Sequence, residues 1–242
     1  MIEGVIFDMD GVLINTRAFI ESFWLKWASY YGISINAEEM ADKVHGCPTR
    51  ETLEGLFTHL NSAQKEEITA EGIALELQQT YHPMVGVLPF LKQLKTNQIK
   101  LALVTSAHPP KTQAVLTQLG LCSLFGTIVT ADLVEKGKPN PACYQLAANR
   151  LNVPVEKCLV FEDAIAGVTA AKAAGMWVVG INTPDNAAKL RQTGADTVIT
   201  DFTELNLALS QEKNLSVDIP SIRFELIASA LNSLPYNQSN DH

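Results

Sequence analysis

Asp8 and Asp10 close the apolar run of "VIFDMDG", Thr105 and Ser106 close that of "LALVTS", Lys138 follows "IVTAD" in a short loop, and Glu162 and Asp163 close "CLVFED". Gathered in one place, these carboxylates, with a hydroxyl and an ammonium, would suit a hard divalent cation together with a phosphate. Four of the residues are acids, so an uncompensated cluster would be costly and a cation would relieve it. Whether they meet depends on the elements that carry them.

From residue 99 onward, "IKLALVTS", "GTIVTAD", "KCLVFED", "WVVGINT" and "DTVITD" are short runs rich in Val, Ile and Leu, the signature of strands buried on both faces. Between them, "PKTQAVLTQLG", "NPACYQLAANRL", "AIAGVTAAKAAGM" and "PDNAAKLRQTGA" carry helical spacing and, in most, proline near the start and glycine near the end. The alternation predicts an α/β fold, a parallel sheet covered on both faces. Ligands of such sheets bind outside the carboxyl ends of the strands, which is where the polar residues stand. "VIFDMD" is a strand of the same kind, separated from the rest by a block of helical character. In "RAFIESFWLKWASYYG", Phe19, Phe23, Trp24 and Trp27 share a face, read as packing. The expected organisation is a core of residues 1–14 and 84–211, a helical cap of 15–83 with hinges near Leu13 to Thr16 and Pro83 to Pro89, and an extension of 212–242. In the extension, "SIRFELIASALNSL" reads as one short helix and "NQSNDH" as a disordered tail.

With 47% hydrophobic and 18% charged positions, the chain can bury one large core and a smaller satellite. A net charge of -8 offers no basic footprint for nucleic acid. No basic leader and no apolar run of about 18 residues is present, so the cytoplasm is the expected compartment and no membrane is implied. Cys47, Cys122, Cys143 and Cys158 are scattered without metal-ligand spacing.

The segments "DMDG", "VTSA", "GKPNP" and "FEDAIAGVTAAKAAG" resemble, in order and context, the four motifs of the haloacid dehalogenase superfamily. The helical block after the first strand is similar to that of the group holding small sugar-phosphate phosphatases and beta-phosphoglucomutase. This resemblance implies a Rossmann-like core with a mobile cap. It implies Asp8 as a nucleophile that becomes an aspartyl phosphate and Asp10 as general acid and base, so two acids one residue apart serve one phosphoryl group. It further implies Mg2+ held by Asp8, the Asp10 carbonyl and the Glu162–Asp163 pair, with Thr105, Ser106 and Lys138 on the phosphoryl oxygens.

In "VHGCPTRETL", a "HG" followed by an arginine resembles the substrate-facing cap loop of related phosphatases, which makes His45 and Arg50 candidates for binding. Thr16 matches the mutase pattern. The mutase's histidine on the hinge helix is replaced by Ile20, and "EGIALELQQTYHPM" contains no lysine where the mutase cap has one. The expectation is therefore a Mg2+-dependent phosphatase acting on a small phosphorylated metabolite, a sugar or polyol phosphate. A phosphomutase is the alternative, and a non-catalytic phosphate sensor stands behind both. His59, His82, His108 and His242 have no evident partners in sequence and read as surface or structural.

Overall fold

The computed structural model describes residues 1–209, 215–219 and 222–227. The apolar runs form β1 (Gly4–Phe7), β2 (Lys100–Val104), β3 (Thr127–Val129), β4 (Cys158–Glu162), β5 (Trp177–Ile181) and β6 (Thr197–Ile199). These six lie parallel in the order β3-β2-β1-β4-β5-β6, a Rossmann-like α/β sheet. β1 is central, with Phe7 paired to Leu103 of β2 on one side and to Phe161 of β4 on the other. Strand order reverses beside β1, so the loops above its carboxyl end part and leave a crevice.

Successive strand residues point to opposite faces, and each face has its own core. Val5, Phe7, Leu101, Leu103, Leu159 and Phe161 pack against α5 (Val87–Thr96) and α6 (Pro109–Gln118). Ile6, Ala102, Val104, Val160 and Val178 pack against α7 (Ala142–Leu151), α8 (Ile165–Ala173) and α9 (Pro184–Thr193). Phe7 stacks on Phe161 with centroids 5.1 Å apart. That pair adds about 1 kcal/mol beyond its area burial and pins together the two strands that end in Asp8 and Glu162.

The block after β1 folds as α1 (Arg17–Tyr30), α2 (Ala37–Lys43), α3 (Thr49–Leu56) and α4 (Ser62–Gln78). Capping boxes start two of them, Asn36 with Glu39 and Asn61 with Gln64. Trp24, Trp27, Met40, Phe57 and Ile68 form a hydrophobic cluster separate from those of the sheet. The chain leaves and re-enters through a pair of backbone bonds, Asn15 N to His82 O at 3.0 Å and Met84 N to Leu13 O at 2.9 Å.

One expectation is corrected at the carboxyl end. Ile222–Leu226 is strand β9, not the start of a helix, and pairs antiparallel with β8 (Leu215–Ile219), itself paired with β7 (Asn206–Leu209). The reason lies in the alternation of "IRFEL": Phe224 and Leu226 are buried while Arg223 and Glu225 are exposed, a period of two that no helix satisfies. Ile2 N bonds Glu225 O and Ile227 N bonds Ile2 O, so this small sheet clasps the lead-in to β1. The remainder of the expected helix and the tail lie outside the described residues. No helix among the described residues is long and apolar enough to cross a membrane.

Candidate active site

The loop after β1 turns sharply enough to present both aspartates because Gly11 adopts φ +77°. Only glycine enters that conformation at low cost, and a second constraint acts at the same atom. A Cβ on Gly11 would lie 2.2 Å from Asp163 Oδ2, so its absence is what lets the loop after β4 press against the loop after β1. Asp8, Glu162 and Asp163 thereby offer carboxylate oxygens that all lie within 4.8 Å of one another. This acidic cluster could hold a metal ion.

Lys138 completes it. Its Nζ, buried, donates to Asp8 Oδ1 at 2.6 Å and to Glu162 Oε1 at 2.7 Å. Burial alone would depress this ammonium, but Asp8 and Glu162 outweigh it and hold its pKa well above the ordinary value. Glu162 also accepts from the Tyr144 hydroxyl at 2.9 Å and, on its other oxygen, from Ala164 N at 3.0 Å. Both oxygens of Glu162 are therefore engaged, and its first task here is to hold Lys138 beside Asp8. Burial pushes Asp8 up to about 8, with Lys138 pulling down and Glu162 adding to the rise. Asp163 is raised well above the ordinary carboxylate value by burial and then by Glu162 and Asp8. Two buried carboxylates and the part-buried Asp163 around one lysine form an acid-rich site, which fits a hard cation bound through oxygen.

Thr105 is buried at the end of β2, and its hydroxyl oxygen accepts from Ala107 N at 3.1 Å, which leaves its proton free to donate. Ser106 Oγ donates to Gly46 O at 2.7 Å, joining the core to the loop before α3. Thr16 Oγ1 donates to Asp10 Oδ1 at 2.6 Å. The two cap candidates fare differently. Arg50 sits at the rim of the cleft with 84% of its side chain exposed, and its Nε donates to Glu54 Oε1 at 2.8 Å. His45 is buried and turned away, into a second cavity of about 330 Å³ on the far side of α1. There its Nδ1 lies 3.0 Å from Arg17 Nη2, and burial together with Arg17 pushes its pKa down to about 4.

Sequence reading missed a second buried lysine. Lys111, in the first turn of α6, places Nζ 2.9 Å from both oxygens of Asp10 and 2.9 Å from Glu76 Oε1 of α4. His108, read as having no partner, caps α6 and bonds Glu76 Oε2 at 2.9 Å. Burial opposes ionisation of Glu76, but His108 and Lys111 outweigh it and hold its pKa below the ordinary value. Lys111 could have been found from its place: it opens the helix that follows Thr105, at the sheet's carboxyl end. The segment "EGIALELQQTYHPM" does lack a lysine, but Lys111 of α6 brings one to Asp10.

The cleft above these groups, about 280 Å³, is walled by Phe19, Ile20, Phe23 and Trp24 of α1 and by Ile68 and Ile73 of α4. Phe19 and Phe23, read as packing, thus also face the cleft.

Residues 5–181 match the family model described as haloacid dehalogenase-like hydrolase. The chain belongs to that family. This haloacid dehalogenase-like hydrolase is 36% identical to a phosphorylated carbohydrates phosphatase of Thermotoga maritima over 72% of its own length and 82% of the relative's. It is 32% identical to validoxylamine A 7'-phosphate phosphatase of Streptomyces hygroscopicus subsp. limoneus, over 85% and 96%. Among solved structures it is similar to beta-phosphoglucomutase from Clostridium difficile, with a TM-score of 0.69 and 28% identity over 85% of this chain and 94% of that one. The hydrolase is an enzyme of a branch that holds sugar-phosphate phosphatases and phosphomutases.

Proposed function

We propose that this chain is a Mg2+-dependent phosphatase that hydrolyses a small phosphate monoester, a sugar or polyol phosphate, through a phosphorylated Asp8. The observation that carries the reading is the cluster at the end of β1: Asp8 buried beside Lys138, with Glu162 and Asp163 around it and Asp10 two residues further along the chain. The carboxylates of Asp8 and Asp163, with the carbonyl of Asp10, would hold Mg2+, which when bound offsets the repulsion between an anionic nucleophile and an anionic ester. In the first step an Asp8 oxygen bonds to phosphorus as the ester P–O bond breaks, and Asp10 gives its proton to the leaving oxygen. In the second, water attacks the same phosphorus, Asp10 takes its proton, and Asp8 is released. Lys138, the Thr105 hydroxyl and the Ser106 backbone N–H hold the three equatorial oxygens, where charge spreads during transfer. Residues 15–83 act as a cap that closes the cleft over the leaving group and excludes water.

A mutase reading is weaker, because a mutase must hold a second phosphate. Of the cleft-lining cations among the described residues, Lys111 is spent on Asp10 and Glu76, Arg50 is turned to Glu54, and Ile20 adds only hydrocarbon. The test is phosphate release, with and without Mg2+, from a panel of phosphorylated sugars and polyols, with glucose 1,6-bisphosphate plus beta-glucose 1-phosphate beside it. Metal-dependent release that disappears in Asp8→Asn is expected; glucose 6-phosphate formed without free phosphate would make the chain a mutase.

A further inference from the structure

The cleft above Asp8 is polar at one end and hydrocarbon along its sides. At the strand ends stand Asp8, Asp10, Thr105 and Ser106, the groups assigned to the phosphoryl transfer. Beyond them the leaving group meets Phe19, Ile20 and Phe23 of α1 and Ile73 of α4, all four part-buried and lining the cleft. Little on these walls can bond a hydroxyl. Among the described residues, Thr69 Oγ1 is turned back to Lys65 O at 2.8 Å, Cys47 Sγ donates to Asp42 O at 3.6 Å, and Glu76 is held by Lys111 and His108, each at 2.9 Å. Thr49 and Arg50 are exposed at the head of α3, where Arg50 bonds Glu54. A hydroxyl that leaves water for such walls loses its partners and gains none.

The walls are also held in place. Phe23 meets the buried Trp24 edge-on, with centroids 5.3 Å apart, and the tip of its ring lies over Gly72 of α4, where a Cβ would stand 3.1 Å from Cζ. Phe23 is thus gripped between two helices as a preformed surface. An open-chain polyol carries hydroxyls along its whole length, so any way of laying it in the cleft strands several against hydrocarbon. A pyranose in its chair form directs equatorial hydroxyls outward around its edge and leaves C–H bonds on its faces. Such a face can cover the aromatic wall while the hydroxyls stay toward the open side. At about 280 Å³ the cleft lies just under the usual range of small-molecule pockets, about 300–1,000 Å³, so it suits one ring rather than two.

We propose that the cleft selects its substrate by an apolar face: the leaving group is a single ring-closed sugar laid on Phe19 and Phe23, and open-chain polyol phosphates are discriminated against. The inference rests on the phosphatase reading and narrows it from sugar or polyol to ring. Ile73, on α4, sharpens the choice by offering hydrocarbon where an amide would pair a hydroxyl.

The experiment measures kcat/KM for phosphate release, with Mg2+, from ring esters set against open-chain counterparts: glucose 6-phosphate with glucitol 6-phosphate, and ribose 5-phosphate with ribitol 5-phosphate. The ring ester of the better pair is expected to lead by on the order of 10- to 100-fold, the range over which an apolar pocket rejects an added hydroxyl. Phe19→Asn is expected to cut that ratio about tenfold, chiefly by slowing the ring ester, and Ile73→Asn to cut it by raising the open-chain ester. Circular dichroism checks the fold, and Ile73→Asn decides if Phe19→Asn does not fold. Open-chain esters hydrolysed as well as their ring counterparts or better, or a ratio that neither variant moves, would overturn the inference while leaving the phosphatase standing. A wild-type enzyme that releases phosphate from no ester would instead overturn the phosphatase reading and this inference with it.

Discussion

Asp163 lies against Gly11, with Glu162 and Asp8 beside it, and burial plus those two carboxylates hold its pKa well above the ordinary value of 3.8. The sign follows from linkage. A carboxyl whose pKa rises on folding binds its proton in the native state where the unfolded chain has released it, so it costs stability as pH rises above 3.8. Replacing Asp163 by Asn removes that cost. Without metal, the variant is expected to be more stable than the wild type at pH 8 by on the order of 1 kcal/mol, the gain fading as pH falls toward 4. Saturating Mg2+ is expected to raise the wild-type melting temperature and to leave Asp163→Asn nearly unmoved; a variant destabilised at pH 8 would show the charge to be structural. The single residues that sequence reveals best are those, like Asp163, that follow an apolar run at once. For Lys111 only its place at the head of α6 is a signal: by type, in "PPKTQAVL", it looks like the solvated face of a helix, and α4, more than thirty residues earlier in the chain, supplies its buried partner Glu76.

Among the elements, α1 and the loop between α2 and α3 are joined by His45, whose neutral ring faces the Arg17 guanidinium. The same Arg17 reaches toward Asp163, 3.9 Å from its Oδ2. With a pKa depressed from 6.5 to about 4, His45 stays neutral in the fold while the unfolded chain takes up a proton below pH 6.5. Its stabilising contribution is therefore whole above pH 6.5 and is lost as pH falls toward 4, up to roughly 3 kcal/mol in all. His45→Asn keeps an acceptor for Arg17 and has nothing to protonate. Its unfolding free energy is expected to vary less between pH 6.5 and 4 than the wild type's; parallel curves would clear His45 of the effect. The resemblance that made His45 a candidate for binding falls on the loop between α2 and α3. In this loop the backbone lines the cleft while the imidazole turns the other way, which side-chain spacing in the sequence does not encode.

For the molecule as a whole, strand and helix alternation made the six-stranded sheet legible, because buried parallel strands must be apolar throughout. In the last segment the alternation of "IRFEL" outweighs the helical reading of the longer stretch, because pairing with β8 buries one side of it. Phe224 of β9 packs edge-on against Trp177 of β5, with centroids 5.6 Å apart, so the small sheet is fastened to the large one. Phe224→Ala is expected to cost about 3 kcal/mol by urea unfolding, with kcat per folded molecule unchanged. A fall in kcat without loss of stability would mean that β9 acts on the site rather than on the fold.

The paired backbone bonds at Asn15 and Met84 have a consequence for inheritance. The segment between them leaves the sheet and returns at neighbouring points, so the sheet hardly registers how long that segment is or how it folds. A lineage could exchange the walls around the leaving group wholesale while Asp8, Lys138 and Asp163 stay where they are. On that geometry, substrates could diversify by replacement of the insertion with the sheet and the ends of its strands left in place.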